Sequence, residues 1–266
     1  MGRDGGTVTV NGGAVRVGRA VRTEDGACRH LLVWRAGPGW RMVSSAVLGG
    51  GLGERGWVLN AQVRPGYSRM DPAEHLAELA AAQGLSGPGV GLMTAAEVDD
   101  CTRAEDGGVT ALATTGIGVA LWAAEPAAEP VEYRPGTINI LAVVPAAVTD
   151  AGLVNLLATA TEAKVQALLE AGYDCSGTPS DAVCVAVRAA APQGPADPFG
   201  GPRSLWGARL ARAVHRAVRA GAELDRERRA QGQRAPHPRT VPGCRVPDVG
   251  GAPAAETRGQ RAPGAG

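Results

Sequence analysis

The chain has 266 residues, enough to bury a substantial core in one domain of ordinary size. Its 27 basic and 26 acidic residues leave a formal net charge of +1, so no overall field draws it onto nucleic acid or an anionic membrane, and neither is an expected partner. Hydrophobic residues make up 44% of the chain and aromatics only 3%, which calls for a core of Val, Leu, Ile and Ala and suits layered packing of sheets and helices.

The opening MGRDGGTVTVNGG has no basic stretch followed by an apolar one, and no run reaches the roughly 18 apolar residues that span a bilayer. The expected location is the cytoplasm. Cys28, Cys101, Cys175, Cys184 and Cys244 show no CxxC spacing, which fits neither a disulfide framework nor a zinc site and suits reduced, structural thiols.

In chain order, TVTVNGGAVRVGRAVR (7–22) alternates apolar and polar residues around Asn11-Gly12-Gly13, the pattern of a β-hairpin, and residues 1–29 read as an N-terminal hairpin extension. Two apolar runs flank Gly37-Pro38-Gly39, and WVLNAQV (57–63) adds another, so the first quarter is β-rich. Asp71 and Pro72 stand at N-cap and first-turn positions, and Gly84 at the end, of a helix predicted over 72–83. Short strands are predicted at 89–93 and 109–114, and a loop at 125–136. TINILAVV (137–144) is the clearest strand, closed by Pro145; Thr149 or Asp150 then caps a helix running to about Ala171. DAVCVAV (181–187) reads as a buried strand. Leu205, Leu210, Val214 and Val218 recur at helical spacing in the last helix.

From residue 224 to 266 the chain is Arg, Pro, Gly and Ala with almost no bulky apolar residue, the composition of a disordered tail. The expected fold class is α+β, a layered arrangement of mixed β-sheets packed against helices in a single domain over residues 30–223.

Several positions carry candidate chemistry. On the strand, Thr137 and Asn139 share one face and Ile138 and Ile140 the other. On the following helix, Asn155, Thr159, Glu162, Gln166 and Glu170 form one side, while Leu153, Leu157, Ala160, Lys164 and Leu168 form the opposite stripe. Lys164 is the chain's single lysine. Among apolar neighbours it is either a proton donor or base, or one half of a structural ion pair, with Asp181 the preferred partner. Thr178, Ser180 and Asp181 follow a Gly-containing turn where hydroxyl and carboxylate groups can converge on a ligand. Ser44 and Ser45 precede Gly49-Gly50-Gly51, a hydroxyl and a source of backbone N–H donors, or simply a turn. GGGLG is no P-loop, and GVGLMT lacks the dinucleotide fingerprint, so no nucleotide is expected. His30 and His75 fall in scaffold, His237 in the tail and His215 on the last helix without HxxxH or HExxH company, so no protein metal site is expected.

The run RPGTINILAVVPAAVTDAGLVNLLATATEAKVQALLEAG, then GTPSDAVCVAV, then GPRSLWGARLARAVHRAV, in that order, resembles the core of the adenosylcobinamide amidohydrolases, with weaker likeness at VSSAVLGGG, around Asn60 and at GLMTAAEV. The likeness covers roughly residues 30–222. It implies hydrolysis of the amide joining a corrin propionate to (R)-1-aminopropan-2-ol in adenosylcobinamide, giving adenosylcobyric acid for cobalamin salvage. Cobalt is then carried by the corrinoid substrate, and the protein needs no cofactor of its own. The resemblance points to Glu162, Lys164 and Asp181 as catalytic, with Ser44, Ser45, Asn60, Thr115, Thr137, Asn139 and Thr178 binding substrate. The chain departs from a GTGTD-like turn at Ser180, which stands where a threonine is expected. A corrinoid-binding protein without catalysis is the alternative reading.

Overall fold

The computed structural model describes residues 15–125, 136–189 and 195–231. Its elements are strands β1 (Val17–Glu24), β2 (Ala27–Arg35), β3 (Trp40–Ser44), β4 (Gly51–Glu54) and β5 (Trp57–Gln62), helix α1 (Pro72–Ala82), strands β6 (Val90–Thr94), β7 (Thr102–Asp106), β8 (Val109–Thr115) and β9 (Ile138–Ala147), helix α2 (Asp150–Glu170), strand β10 (Ala182–Arg188) and helix α3 (Leu205–Ala230). A four-stranded sheet has the order β1-β2-β5-β6 and a six-stranded sheet the order β4-β3-β10-β9-β8-β7. Both are mixed: β5–β6 and β9–β10 run parallel, the other pairs antiparallel.

The two sheets pack face to face, and strand alternation divides each strand between an inner and an outer layer. Ile138, Ile140, Ala142 and Val144 of β9 point outward with Val183, Val185 and Val187 of β10, forming one core with Leu153, Leu156, Leu168, Leu210 and Val214 of α2 and α3. Leu141 and Val143 point inward with Cys184 and Ala186, meeting Trp34, Val58, Val90 and Leu92 of the small sheet. The small sheet turns Leu31, Val33, Leu59 and Ala61 outward against Leu76 and Ala80 of α1. The layers are therefore helix, sheet, sheet, helices, an α+β domain as the sequence pattern suggests.

Of the predicted hairpin, residues 7–14 lie outside the described residues. Its second limb falls in β1, which pairs with β2 through Asp25-Gly26, both with positive φ (52° and 71°), a turn that matches strand twist. Gly37-Pro38-Gly39 joins β2 to β3 but sends them into different sheets. β4 and β7 escape the periodicity reading because both are sheet edges whose sequences, GLGE and TRAED, bury no regular apolar face. β9 continues past Pro145 to Ala147. Its pairing with β8 ends at Val143, and its register with β10 shifts after Val187, so the missing proline N–H costs no ladder bond.

Thr149 caps α2 by accepting the Gly152 N–H at 3.2 Å, and Ser204 caps α3 by accepting that of Gly207 at 3.0 Å. Among the described residues Cys101, Cys175 and Cys184 are free thiols. Burial pushes the Cys184 thiol up to about 12 and Cys101 up to about 11, so both stay protonated and unreactive.

α3 runs to Ala230, beyond the end expected at residue 223, because its last turns are tied down. Asp225 accepts from the Tyr173 hydroxyl (2.8 Å) and the Ile117 N–H (3.3 Å), Arg226 donates to Ala171 O (2.9 Å), and Arg228 pairs with Asp100. Asp225→Ala strands those donors and is expected to lower the unfolding free energy by about 1–2 kcal/mol in urea titration. Thr149→Ala, which removes the α2 cap, is expected to cost about 1 kcal/mol in the same measurement.

Candidate active site

A solvent-open cleft of about 950 Å³ lies at one end of the seam between the sheets. The small sheet and its loops contribute Val63, Tyr67 and the run Gly91–Ala95. The large sheet contributes Ser45–Val47, Gly136, Thr137 and Ser180–Ala182.

The hydroxyl-bearing wall is shaped by one buried ion pair. Lys164 lies on the face of α2 that packs on the large sheet, and its Nζ is 2.6 Å from Asp181 Oδ2, with both side chains less than a tenth exposed. Asp181 also accepts the Thr178 N–H (3.1 Å) and the Thr178 hydroxyl, and its Oδ1 takes the Ile138 N–H (2.9 Å). Four donors thus converge on one carboxylate, compensating its desolvation. They fasten the turn between α2 and β10 to the first residue of β9. Gly177 makes this approach possible, since a Cβ there would sit 2.2 Å from Asp181 Oδ2 and 2.6 Å from Lys164 Nζ.

With the turn held this way, Ser180 is exposed in the cleft and its Oγ lies 2.7 Å from Thr137 Oγ1. Ser180 Oγ also reaches Gly136 O at 3.3 Å.

Behind the cleft, Asn139 points into the seam from β9, and its Nδ2 donates to Asn60 Oδ1 (3.0 Å) and Met93 O (2.9 Å). Asn60 Nδ2 donates in turn to Thr114 Oγ1 (3.0 Å). This buried polar chain crosses from β9 to β5 and β6, tying the cleft's two walls together.

Of the remaining sequence-derived candidates, Ser45 lies in the cleft and Ser44, Thr115 and Glu162 do not line it. Ser45 is exposed in the cleft, its Oγ accepting the Val183 N–H (3.1 Å), while Ser44 is buried and caps the Ala46 N–H. Thr115 lies on the face of β8 toward α3, where a Cβ on Gly221 would come within 2.4 Å of its Oγ1. Glu162 is exposed in a separate groove of about 650 Å³ between α2 and α3, with Gln166, Arg212, His215 and Arg216; none of that groove's residues lines the cleft. There His215 pairs with Glu170 (2.9 Å). Periodicity puts Glu162 and Lys164 on different sides of α2, and the fold separates them by the helix itself. Tyr67 and Thr94, which line the cleft, went unread from sequence; the signal was a tyrosine, one of three in the chain, within a Pro-Gly loop ahead of a helix. Among the described residues no three His, Cys, Asp or Glu side chains group to hold a metal ion, and no helix is long and apolar enough to cross a membrane.

The family model for adenosylcobinamide amidohydrolase matches residues 15–230, from the start of the described structure to the last turn of α3. A protein of Methanosarcina mazei named adenosylcobinamide amidohydrolase is 33% identical over 188 residues, which cover 68% of this chain and 89% of that protein. A protein of the same name from Halobacterium salinarum is 35% identical over 144 residues, covering 50% of this chain and 58% of its own length. A match across both sheets and all three helices shows that this chain belongs to the adenosylcobinamide amidohydrolase family.

Proposed function

We propose that the protein hydrolyses the amide between a corrin propionate and (R)-1-aminopropan-2-ol in adenosylcobinamide, releasing the amine and adenosylcobyric acid, and that it does so in the cytoplasm, where that product re-enters cobalamin synthesis. The observation that carries this reading is the family match over residues 15–230, which contains every element of the cleft. Cobalt belongs to the substrate and remains outside the hydrolytic step.

The cleft's chemistry suits an amide at the end of a flexible arm. One wall offers hydroxyls, Ser45, Thr137 and Ser180; the other offers Val63, Leu92 and Met93; and Val47 stands 56% exposed at the rim, an apolar rest for a bulky ring outside. Attack on the amide carbon builds negative charge on its oxygen, which fixed hydrogen-bond donors stabilise more than they stabilise the ground state. Ser180 and Thr137 share one hydrogen bond, and the second O–H of the pair is the donor assigned to that oxygen. Lys164 and Asp181, expected from sequence to be catalytic, are positioning residues in this proposal. With four donors on its carboxylate, Asp181 has no free oxygen to take a proton, and it keeps Ser180 turned toward the cleft. Glu162, in the α2–α3 groove, has no part in the step.

Incubating the purified chain with adenosylcobinamide should yield adenosylcobyric acid and free aminopropanol by mass spectrometry. Binding of the corrinoid with neither product would favour the non-catalytic alternative. Ser180→Ala should lower kcat about 100-fold at nearly unchanged stability. Lys164→Met leaves the Asp181 charge buried without its counter-ion, and its expected cost is about 3 kcal/mol in urea unfolding.

A further inference from the structure

Hydrolysis needs a group to move the proton from attacking water to departing amine, and the wall of the cleft that carries Tyr67 supplies a candidate. Tyr67 lines the cleft from the loop after β5, and its hydroxyl is 3.0 Å from His75 Nδ1. The two ring planes lie 8° apart with centroids 5.6 Å from one another. His75, on α1, is 4% exposed, and its Nε2 is 3.3 Å from Glu24 Oε1 at the end of β1. Glu24 is held by Arg22, whose guanidinium also donates to Gln62 O at 2.7 Å. Arg69 spans Asp71 (2.6 Å) and Glu78 (3.0 Å), fastening the loop that carries Tyr67 to the helix that carries His75. Tyr67, His75 and Glu24 thus come from three different segments, a loop, a helix and a strand, and each is oriented by the next.

We propose that Tyr67, backed by His75 and Glu24, is the proton-transfer group of this cleft. The inference rests on the amidohydrolase reading above. A neutral imidazole has one donor and one acceptor nitrogen. Nε2–H facing Glu24 leaves Nδ1 to accept the phenol O–H, and the phenol oxygen keeps its lone pairs for a donor in the cleft. A water O–H gives its proton to Tyr67 Oη as the tyrosine's own proton passes to His75 Nδ1, and Glu24 balances the imidazolium. The water oxygen bonds the amide carbon. The proton then returns through Tyr67 to the nitrogen as the C–N bond breaks, leaving a carboxylic acid and a primary amine.

The charged groups around His75 are Glu24 and Arg22 from β1, Arg69 and Asp71 from the loop, and Glu78 from α1. Burial is the largest influence and holds the imidazole below its usual 6.5, with Arg69 and Arg22 acting the same way and Glu24 and Glu78 against it. The accepting, neutral form therefore prevails at neutral pH, and protonation disables it only on the acid side. The acid limb of kcat/KM should lie below pH 6.5.

The test compares the unaltered chain, Tyr67→Phe and His75→Asn on adenosylcobinamide across pH, with corrinoid binding followed by visible absorption. Tyr67→Phe should lose about 100-fold or more in kcat with binding retained. His75→Asn keeps an acceptor near the Nδ1 position but cannot take up a proton, so kcat should fall similarly and the acid limb should disappear. Tyr67→Phe with kcat within twofold of the unaltered chain and the same acid limb overturns the proposal even if His75→Asn fails to fold. No hydrolysis by the unaltered chain overturns the amidohydrolase reading and this proposal with it.

Discussion

Two asparagines hold the interior of this protein in register. Face-to-face sheets meet through apolar side chains, and such contacts have no preferred direction, so packing alone lets one sheet slide on the other at small cost. Asn139 removes that freedom. Its two N–H groups reach Asn60 of β5 and the Met93 carbonyl of β6, each within 3.0 Å, from a strand of the opposite sheet. In a low-dielectric interior these bonds are strong and losing either partner strands a buried polar group, so the alignment they define is kept. The hydroxyl wall and the phenol wall of the cleft keep their relative positions through this link.

The large sheet builds its side of the cleft by a second device of the same kind. A lone ammonium and a carboxylate, both taken out of water, are costly unless every remaining hydrogen-bonding site is filled. On the carboxylate of Asp181 the Thr178 amide and hydroxyl and the Ile138 amide fill those sites, and this arrangement fixes the path of residues 177–181. A compact ammonium fits beneath the bare Gly177, where the broader guanidinium has little room, which gives a physical reason for a lysine in a chain that uses arginine everywhere else.

Much of the layering was legible because β9 and β10, buried on both faces, read as short continuous apolar runs, and the helices bury a face at helical spacing. The placing of Thr137 and Asn139 on one side and Ile138 and Ile140 on the other follows from the two-residue strand period. What spacing does not carry is what each face meets. An asparagine pointing inward at a second sheet and one pointing at solvent look alike in sequence, and Asn60 is 79 residues from Asn139. The edge strands β4 and β7 bury too little to leave a pattern. Lys164 and Glu162 could be separated by helical geometry, yet only the tertiary fold puts one beneath the cleft and the other in a groove between helices. Tyr67 and His75 are close in sequence, but the loop and helix that carry them had to be folded before their contact existed.

The cleft opens at the seam, so each wall belongs to a different sheet. Within a sheet, strands are laced by ladders of hydrogen bonds, whereas across the seam only packing and a few polar bonds act. A ligand gripping both walls is therefore a temporary rivet between the halves. At a hundredfold excess over its Kd, occupancy adds about 2.7 kcal/mol to the folded state by mass action alone. For a ligand held in this cleft, filling the site and stiffening the sandwich would be one event.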